Sequence, residues 1–419
     1  MAYLWLGLVQ PLFFGAYLGD FQESYLRAAG RLAAGDDPYD LCAKLGCLEP
    51  TGPQYVMPPL LAWLLQPFAG ADHHVVTVVV ILALQASLVV FGVCLIKALD
   101  VRGWQLRALL ILVTLGFEPV IANVFEGQVN LVLLGLSGIW LLAWVRGRWW
   151  GGIALGAAIA VKLIQAPLVL LLLWRRRWGM LAAAAVTGAV LWLVASPQYL
   201  VEYLMNVAPA IGQGTGQFEN HSPGGTIARI LQPDTFLGEV HGTSVTSRVL
   251  TLAVALVAIV ITFAVMRTPP PARALRAGAT SPRGGEVRAL EAASVVALTP
   301  IVATYSWGTH LVLLLLPMLV LIVWGIRNRN WIVIGLVGLA WILFGPAHGE
   351  MQELLLEGYR DLFVLRLMAE FGVIGVLAVW VASLLALRQE LSAHRLDAAH
   401  EHGPKYEEDD RAPEHGAVA

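Results

Sequence analysis

The sequence predicts an all-α, polytopic integral membrane protein, and three observations carry that expectation. Of 419 residues, 58% are hydrophobic and only 13% are charged, far less charge than a soluble surface carries. Runs of about 20 apolar residues recur from end to end, which is the length of a bilayer-spanning helix. These runs are too long and too continuously apolar for barrel strands. Backbone in lipid must also satisfy its own hydrogen bonds, which leaves helices. The net charge of −2 gives no sign of a nucleic-acid partner. The bilayer is the first partner implied.

Taken in order, Ala2 to Leu18 is the first span. It has no basic flank and no small-residue cleavage site, so it reads as an uncleaved anchor; the missing basic flank also hints at a start further upstream. The loop that follows opens with Asp20, the first carboxylate of the chain. Cys42 and Cys47 share this loop and could pair. Gln54 to Phe68 is too short and too Pro-punctuated to span, and reads as an interfacial or re-entrant helix. Val75 to Leu99 spans towards Lys97, Arg102 and Arg107, a cytoplasmic flank by the positive-inside rule, which puts the Asp20 loop outside. Trp104 to Ala122 returns outward, and Gly127 to Val145 leads back to Arg146 and Arg148.

Arg175 to Arg177 is cytoplasmic by the same rule. Trp149 to Trp174 must therefore cross twice, as a hairpin of two short helices with Lys162 to Pro167 at the outer tip. Met180 to Ala195 leads out to a polar stretch, Ser196 to Val245. Thr246 to Met266 leads back to a basic, Pro/Gly-rich linker at about 267–290. Ala292 to Tyr305, Thr309 to Gly325, Trp331 to Gly345 and Leu362 to Leu387 complete about twelve spans with both ends cytoplasmic. Residues 1–388 thus form one transmembrane domain. Residues 389–419 read as a disordered tail, in which His394, His400 and His402 are solvated rather than metal ligands.

Several polar residues stand out against this background. A carboxylate just beyond a span, such as Asp20, is either a solvated helix end or a base placed where lipid meets water. Glu23 is one helical turn further on, and with Arg27 four residues later it reads first as a surface pair. Lys162 is an ionisable group inside a membrane segment, either functional or snorkelling to the interface. Gln128 and Asn130, at the outer end of a span, read as helix glue before sugar contacts. Asp36, Asp37 and Asp40 flank Pro38-Tyr39 and read as turn chemistry.

Five stretches in this order, DFQESYLRAAGRLAAGDDPYD, YVMPPLLAWLLQP, EGQVNLVLLGLSGIWLL, GGIALGAAIAVKLIQAPLVLLLLWRRRW and YSWGTHLVLLLLP, resemble the polyprenyl-phosphate-mannose-dependent glycosyltransferases of family 87, in the GT-C superfamily. ENHSPGGTIARIL resembles the family's Asn-x-Ser stretch before an arginine. The resemblance covers most of the chain up to about Pro317. It departs at Val56-Met57-Pro58-Pro59, where the family often has Tyr-Pro-Pro, and at Thr309-His310, where paired histidines are common.

The resemblance implies a GT-C helical bundle. It also implies transfer of a hexose, mannose above all, from a polyprenyl-phosphate sugar to a lipid or glycan hydroxyl at the outer face of the plasma membrane. It implies Asp20 as general base, because a hydroxyl is a poor nucleophile until its proton is taken. His310, Lys162 and Arg229 become candidates for the donor phosphate, and Glu23, Tyr25, Gln128, Asn130 and Asn220 for sugar or acceptor contacts. Direct attack by the acceptor implies inversion, and the chemistry requires no metal and no cofactor. The competing reading is a transporter or flippase of lipids or lipid-linked sugars. A transporter commonly shows repeated halves and helices broken near the midplane. This chain shows no internal repeat, and its polar residues gather at the outer face.

Overall fold

A computed structural model of the chain describes residues 18–40, 54–236, 242–267, 282–345 and 369–401, together with Tyr3, Trp5, Val9, Gln10 and Phe13. Most of the expected first span, the Cys42 and Cys47 positions, residues 268–281, residues 346–368 and residues 402–419 lie outside them. The described residues are helical, without a strand. Four helices are long and apolar enough to cross a membrane, or up to six when two bent pairs each count as one span.

The chain enters through a π-helical turn, Phe21–Leu26, that leads into α1 (Arg27–Ala33). The short α2 (Leu60–Leu65) fills the place of the Pro-punctuated segment. The first long helix is α3 (His73–Ala98), capped by the Asp72 carboxylate, which accepts from the amides of His74 and Val75 as an N-cap does. The run expected as one span from Trp104 to Ala122 is broken. α4 (Trp104–Leu115) and α5 (Glu118–Phe125) meet at 53°. Gly116 ends the first, and Pro119, which has no N–H to give, suits only the first turn of the second.

Contacts between helix ends sort the bundle into two poles. At one pole, Arg327 donates to the carbonyls of Leu99 and Asp100, at 2.7 and 3.0 Å. This ties the end of α15 (Leu315–Arg327) to the end of α3. Arg288 donates to Val145 O at 2.8 Å, joining α14 (Pro282–Val302) to the end of α6 (Asn130–Val145). Arg175, just past α8 (Leu168–Trp174), is ion-paired with buried Glu291 and donates to Met266 O at 3.1 Å. Met266 directly follows α13 (Val245–Val265). The arginine clusters marked as one side by charge bias therefore do lie together.

These contacts also correct the linker. The helix starts at Pro282, and the interior partners of Arg288 and Glu291 explain why these charged residues are helical rather than loop. At the far end, α17 (Phe371–Glu401) continues past residue 389. There Gln389 and Glu390 accept hydrogen bonds from Asn330, which caps α16 (Trp331–Phe344), and from Trp324. That part of the expected tail is helix.

The hairpin expected over Trp149–Trp174 is visible in its packing. α7 (Gly151–Val161) runs beside α9 (Trp178–Val194) in the same direction. Gly152 sits against Met180 and Ala183, Gly156 against Ala184, and Trp192 Nε1 donates to Ala160 O at 3.0 Å. α8 must therefore run back between them in sequence, with the turn at Lys162, whose backbone is extended (φ −155°, ψ 126°). Gly152 and Gly156 are a small-xxx-small pair that lets the two backbones touch. A further departure follows α9. The stretch from Ser196, expected to be polar loop, begins with α10 (Pro197–Glu202), a π-helical segment (Tyr203–Val207) and α11 (Ala208–Ile211), bent 114° from α9.

A Cβ on Gly156 would overlap the Ala184 carbonyl group. Gly156→Leu should therefore force α7 from α9 and lower the thermal midpoint in detergent, at a cost of about 1–3 kcal/mol for overpacking. An unchanged midpoint would contradict the packing described.

Candidate active site

At the pole opposite the arginine cluster, a cavity of about 1040 Å³ opens between the Asp20 turn, the Gln54–Pro58 segment, α5, the Lys162 turn, residues 203–219 and the start of the segment from Gly308. Its polar groups converge. The 3₁₀ segment Gly308–Leu314 leads into α15 and carries His310. Lys162 Nζ lies 2.8 Å from His310 Nε2 and donates to Asn130 Oδ1 at 3.0 Å. Asn130 Nδ2 in turn reaches Thr309 O at 3.3 Å and Gln128 Oε1 at 3.4 Å. Gln128 Nε2 donates to Asp20 Oδ2, and its Oε1 accepts from Tyr25 OH at 2.6 Å. The Asp20 carboxylate, when ionised, only accepts, so it takes the NH₂ end of the Gln128 amide and leaves Oε1 for Tyr25 OH and Asn130 Nδ2. No described residue donates to the other Asp20 oxygen.

One backbone constraint makes the approach of Asp20 to Gln128 feasible. Gly127 has φ +66°, and a Cβ there would come within 2.6 Å of Phe21 Cβ. Only glycine takes this conformation without cost and leaves room for the Phe21 turn. The Glu126 carbonyl accepts from Phe21 N at 3.1 Å, and its carboxylate accepts from Asp20 N at 3.4 Å. The Asp20 turn is thus docked on the α5–α6 junction by main chain as well as side chains. Tyrosines hold its other flank: Tyr39 OH donates to Met57 O at 2.8 Å and Tyr55 OH to Pro58 O at 2.6 Å, while Ser24 Oγ donates to Gln54 O at 3.0 Å.

Burial lifts Asp20 to a pKa of about 6. Glu126 and Glu23 add to the rise, and Lys162 opposes it. Glu219, on the loop across the cavity, is raised to about 7 by burial and by the charges of Asp20 and Glu126. Burial also raises Glu126, while the Asp20 amide works against it. The carboxylate of Asp20 is therefore a stronger base than a solvated aspartate, yet remains ionised near neutral pH. Lys162 and His310 supply the opposite character. Two potential cations 2.8 Å apart repel when both are charged, and an anion beside them relieves that repulsion.

The structure brings Asp20, Tyr25, Gln128, Asn130, Lys162 and His310 into one connected group. It sets the other three sequence candidates apart. Arg229, on α12 (Pro223–Leu231), is buried and grips Glu370 with two nitrogens at 2.7 and 2.8 Å. It also donates to the carbonyls of Gln217 and Asn220, so its charge is spent on holding the loop to the start of α17. Nothing local in the sequence announces a partner 141 residues away. Asn220 is fully buried and stitches this loop to the Thr304–Ser306 segment, accepting from Ser306 N at 2.9 Å and donating to Thr304 O at 3.2 Å. Glu23 does not line the cavity.

Sequence reasoning passed over three lining carboxylates, Glu118, Glu126 and Glu219. Glu126 and Glu118 carried a usable signal, an ionisable residue within or beside an apolar run. Glu219 carried none beyond its place beside Asn220. Among the described residues no group of three or more His, Cys, Asp or Glu side chains is placed to hold a metal ion.

The chain is 27% identical over 315 residues to a polyprenol-phosphate-mannose-dependent alpha-(1-2)-phosphatidylinositol mannoside mannosyltransferase of Mycolicibacterium smegmatis, covering 70% of this chain and 67% of the relative. It is 36% identical over 144 residues to the corresponding phosphatidylinositol pentamannoside mannosyltransferase of the same organism, covering 32% of this chain and 34% of the relative. An alpha-(1->3)-arabinofuranosyltransferase of Corynebacterium glutamicum is 28% identical over 179 residues, covering 41% of this chain and 42% of the relative. The matches to these last two thus span less than half of their length. No solved structure matches the chain. Residues 55–282, just over half of the chain, match the sequence signature of glycosyltransferase family 87; Asp20 and His310 lie outside that stretch, and the groups they join, Gln128, Asn130 and Lys162, lie within it. The chain belongs to glycosyltransferase family 87.

Proposed function

We propose that this glycosyltransferase moves a hexose, mannose by kinship, from a polyprenyl-phosphate donor to a hydroxyl of a glycolipid or glycan acceptor at the outer face of the plasma membrane. The observation that carries the reading is the single cavity in which the Asp20 carboxylate and the Lys162–His310 pair are joined through Gln128 and Asn130. Asp20 takes the proton of the acceptor hydroxyl as its oxygen attacks the anomeric carbon. The bond from that carbon to the phosphate oxygen breaks, and the phosphate leaves with the electron pair. Lys162 and His310 hold the charge that develops on it. One displacement without a covalent intermediate inverts the anomeric centre.

The donor is lipid-linked in this reading because two mannosyltransferase relatives carry polyprenol-phosphate-mannose dependence in their names. Apolar Leu163, Ile164, Pro167 and Val302 also line the cavity, as a lipid substrate requires. The chemistry asks for neither a nucleotide nor a metal cofactor. The arginine pole is cytoplasmic by the positive-inside rule, which puts the cavity at the opposite pole on the outer face. Family membership displaces the transporter reading.

The direct assay is purified protein with radiolabelled polyprenyl-phosphate-mannose and a panel of membrane glycolipids. Asp20→Asn keeps size and polarity but cannot accept the proton, so kcat should fall by about a hundredfold to ten-thousandfold, or roughly 3–5 kcal/mol. Donor affinity should change little. Glu23→Gln, half-buried and outside the cavity lining, takes no part in the transfer as derived and should keep most activity. A folded Asp20→Asn enzyme within about threefold of the parent would remove Asp20 from the mechanism.

A pH profile tests the same base independently. Asp20 must be ionised to act, so kcat/KM should climb through a pKa of about 6 and level off above it. Glu126→Gln removes a neighbouring negative charge, which stabilises the Asp20 carboxylate and lowers its pKa. The acid limb should therefore move to lower pH. A limb that stays put or moves up would contradict the electrostatic account.

A further inference from the structure

The transfer chemistry uses one end of the cavity, and Glu118 stands at another. Glu118, Ile121, Ala122 and Phe125 all line the cavity. Their spacing puts them on one stripe of α5, since positions three, four and seven apart share a helix face. From Glu118 to Phe125 this wall runs about 10 Å at 1.5 Å per residue. Its far end is Glu126, which is docked on Asp20. Glu118 forms no hydrogen bond and no ion pair with any described residue, and its Oε2 is wholly enclosed without a partner.

An unsatisfied carboxyl in an apolar wall is destabilising whether ionised or protonated, and the reaction as derived gives it no task. A ligand that brought hydroxyls to this half-buried side chain would satisfy it once the carboxyl group turned Oε2 towards the cavity. The intervening stripe of Ile121, Ala122 and Phe125 suits the C–H face of a sugar ring, whose rim carries those hydroxyls. Lys162 is the single lysine or arginine among the described residues that line the cavity, against four carboxylates. An anionic group at the Glu118 end would meet repulsion, which favours a neutral polyol. The distance along the wall is about the length of two linked sugar rings.

We propose that Glu118 marks a second acceptor subsite, one that binds hydroxyls of the sugar ring preceding the ring whose hydroxyl faces Asp20. This rests on the transferase reading above and deepens it. The enzyme would favour acceptors that already carry two or more sugars over those that carry one. Glu118 here is a specificity residue, not a catalytic one.

The test uses the full-length protein in detergent with octyl mannoside and octyl mannobioside as probes, and reads the dissociation constant of each by thermal shift. The parent protein should bind the two-ring probe about tenfold more tightly, the order expected for one buried hydrogen-bonded contact. Glu118→Leu should bring the ratio to within about twofold of one, and Glu118→Gln, which can still hydrogen-bond a hydroxyl, should keep part of the preference. A ligand-free melting temperature near the parent's shows that each variant is folded. No preference in the parent, or a preference that survives in Glu118→Leu, overturns the subsite. Tighter binding of an amine-bearing glycoside, lost in both variants, overturns the polyol assignment. Transfer from polyprenyl-phosphate-mannose by the parent, run alongside, separates the two levels. Transfer with no ring preference removes the subsite alone, whereas no transfer to any acceptor removes the transferase reading and the subsite with it.

Discussion

A charged side chain in an apolar bundle must be given partners, and the site depends on how this is done for Lys162. The chain breaks helix at that residue, turns, and starts a return helix at Leu168. The break delivers the amine to Asn130 and His310 rather than to lipid. Close contact of Gly152 and Gly156 with α9 sets where that turn sits. The cation is therefore positioned from below by a helix interface made of small residues, and from the side by a polar chain that ends on Asp20. Moving any of these changes the distance between base and phosphate site, the quantity on which a single-displacement transfer depends.

The same economy governs the opposite pole. Arg175, Arg288 and Arg327 spend their donors on carbonyls and carboxylates, and in doing so fix the register of six helices. Arg229 and Glu370 do the equivalent beside the cavity, holding the 212–222 loop against the start of α17. Cations at the helix ends are structural, and Lys162, with no carboxylate bonded to it, is left to meet a substrate.

How much of this was legible in the sequence follows from the range of the forces involved. Apolar run length and the placement of arginines are local properties, and they gave the helices, their directions and the hairpin at Lys162. The bend at Gly116–Phe117 was legible in principle from Gly116 and Pro119, but the apolar run around them hid it. Helix at 282–290 and 389–401 was missed because charge reads as solvent exposure until a buried partner is known, and the partners, Val145 O for Arg288 and Trp324 for Glu390, are remote. Within the site, resemblance named Asp20, Lys162 and His310. Only the fold could show that Gln128 and Asn130 wire them together, and that Arg229 is already occupied.

The central claim is that the donor phosphate sits on Lys162 and His310, across the cavity from Asp20. Locating the phosphorus of bound polyprenyl phosphate in a structure of the protein in lipid nanodiscs tests it most directly. The account predicts phosphate oxygens at hydrogen-bond distance, about 3 Å, from both Lys162 Nζ and His310 Nε2, with Asp20 facing the open side. Phosphate bound beside Arg175 and Arg177 at the other pole, or on Arg229 with Glu370 displaced, would contradict it.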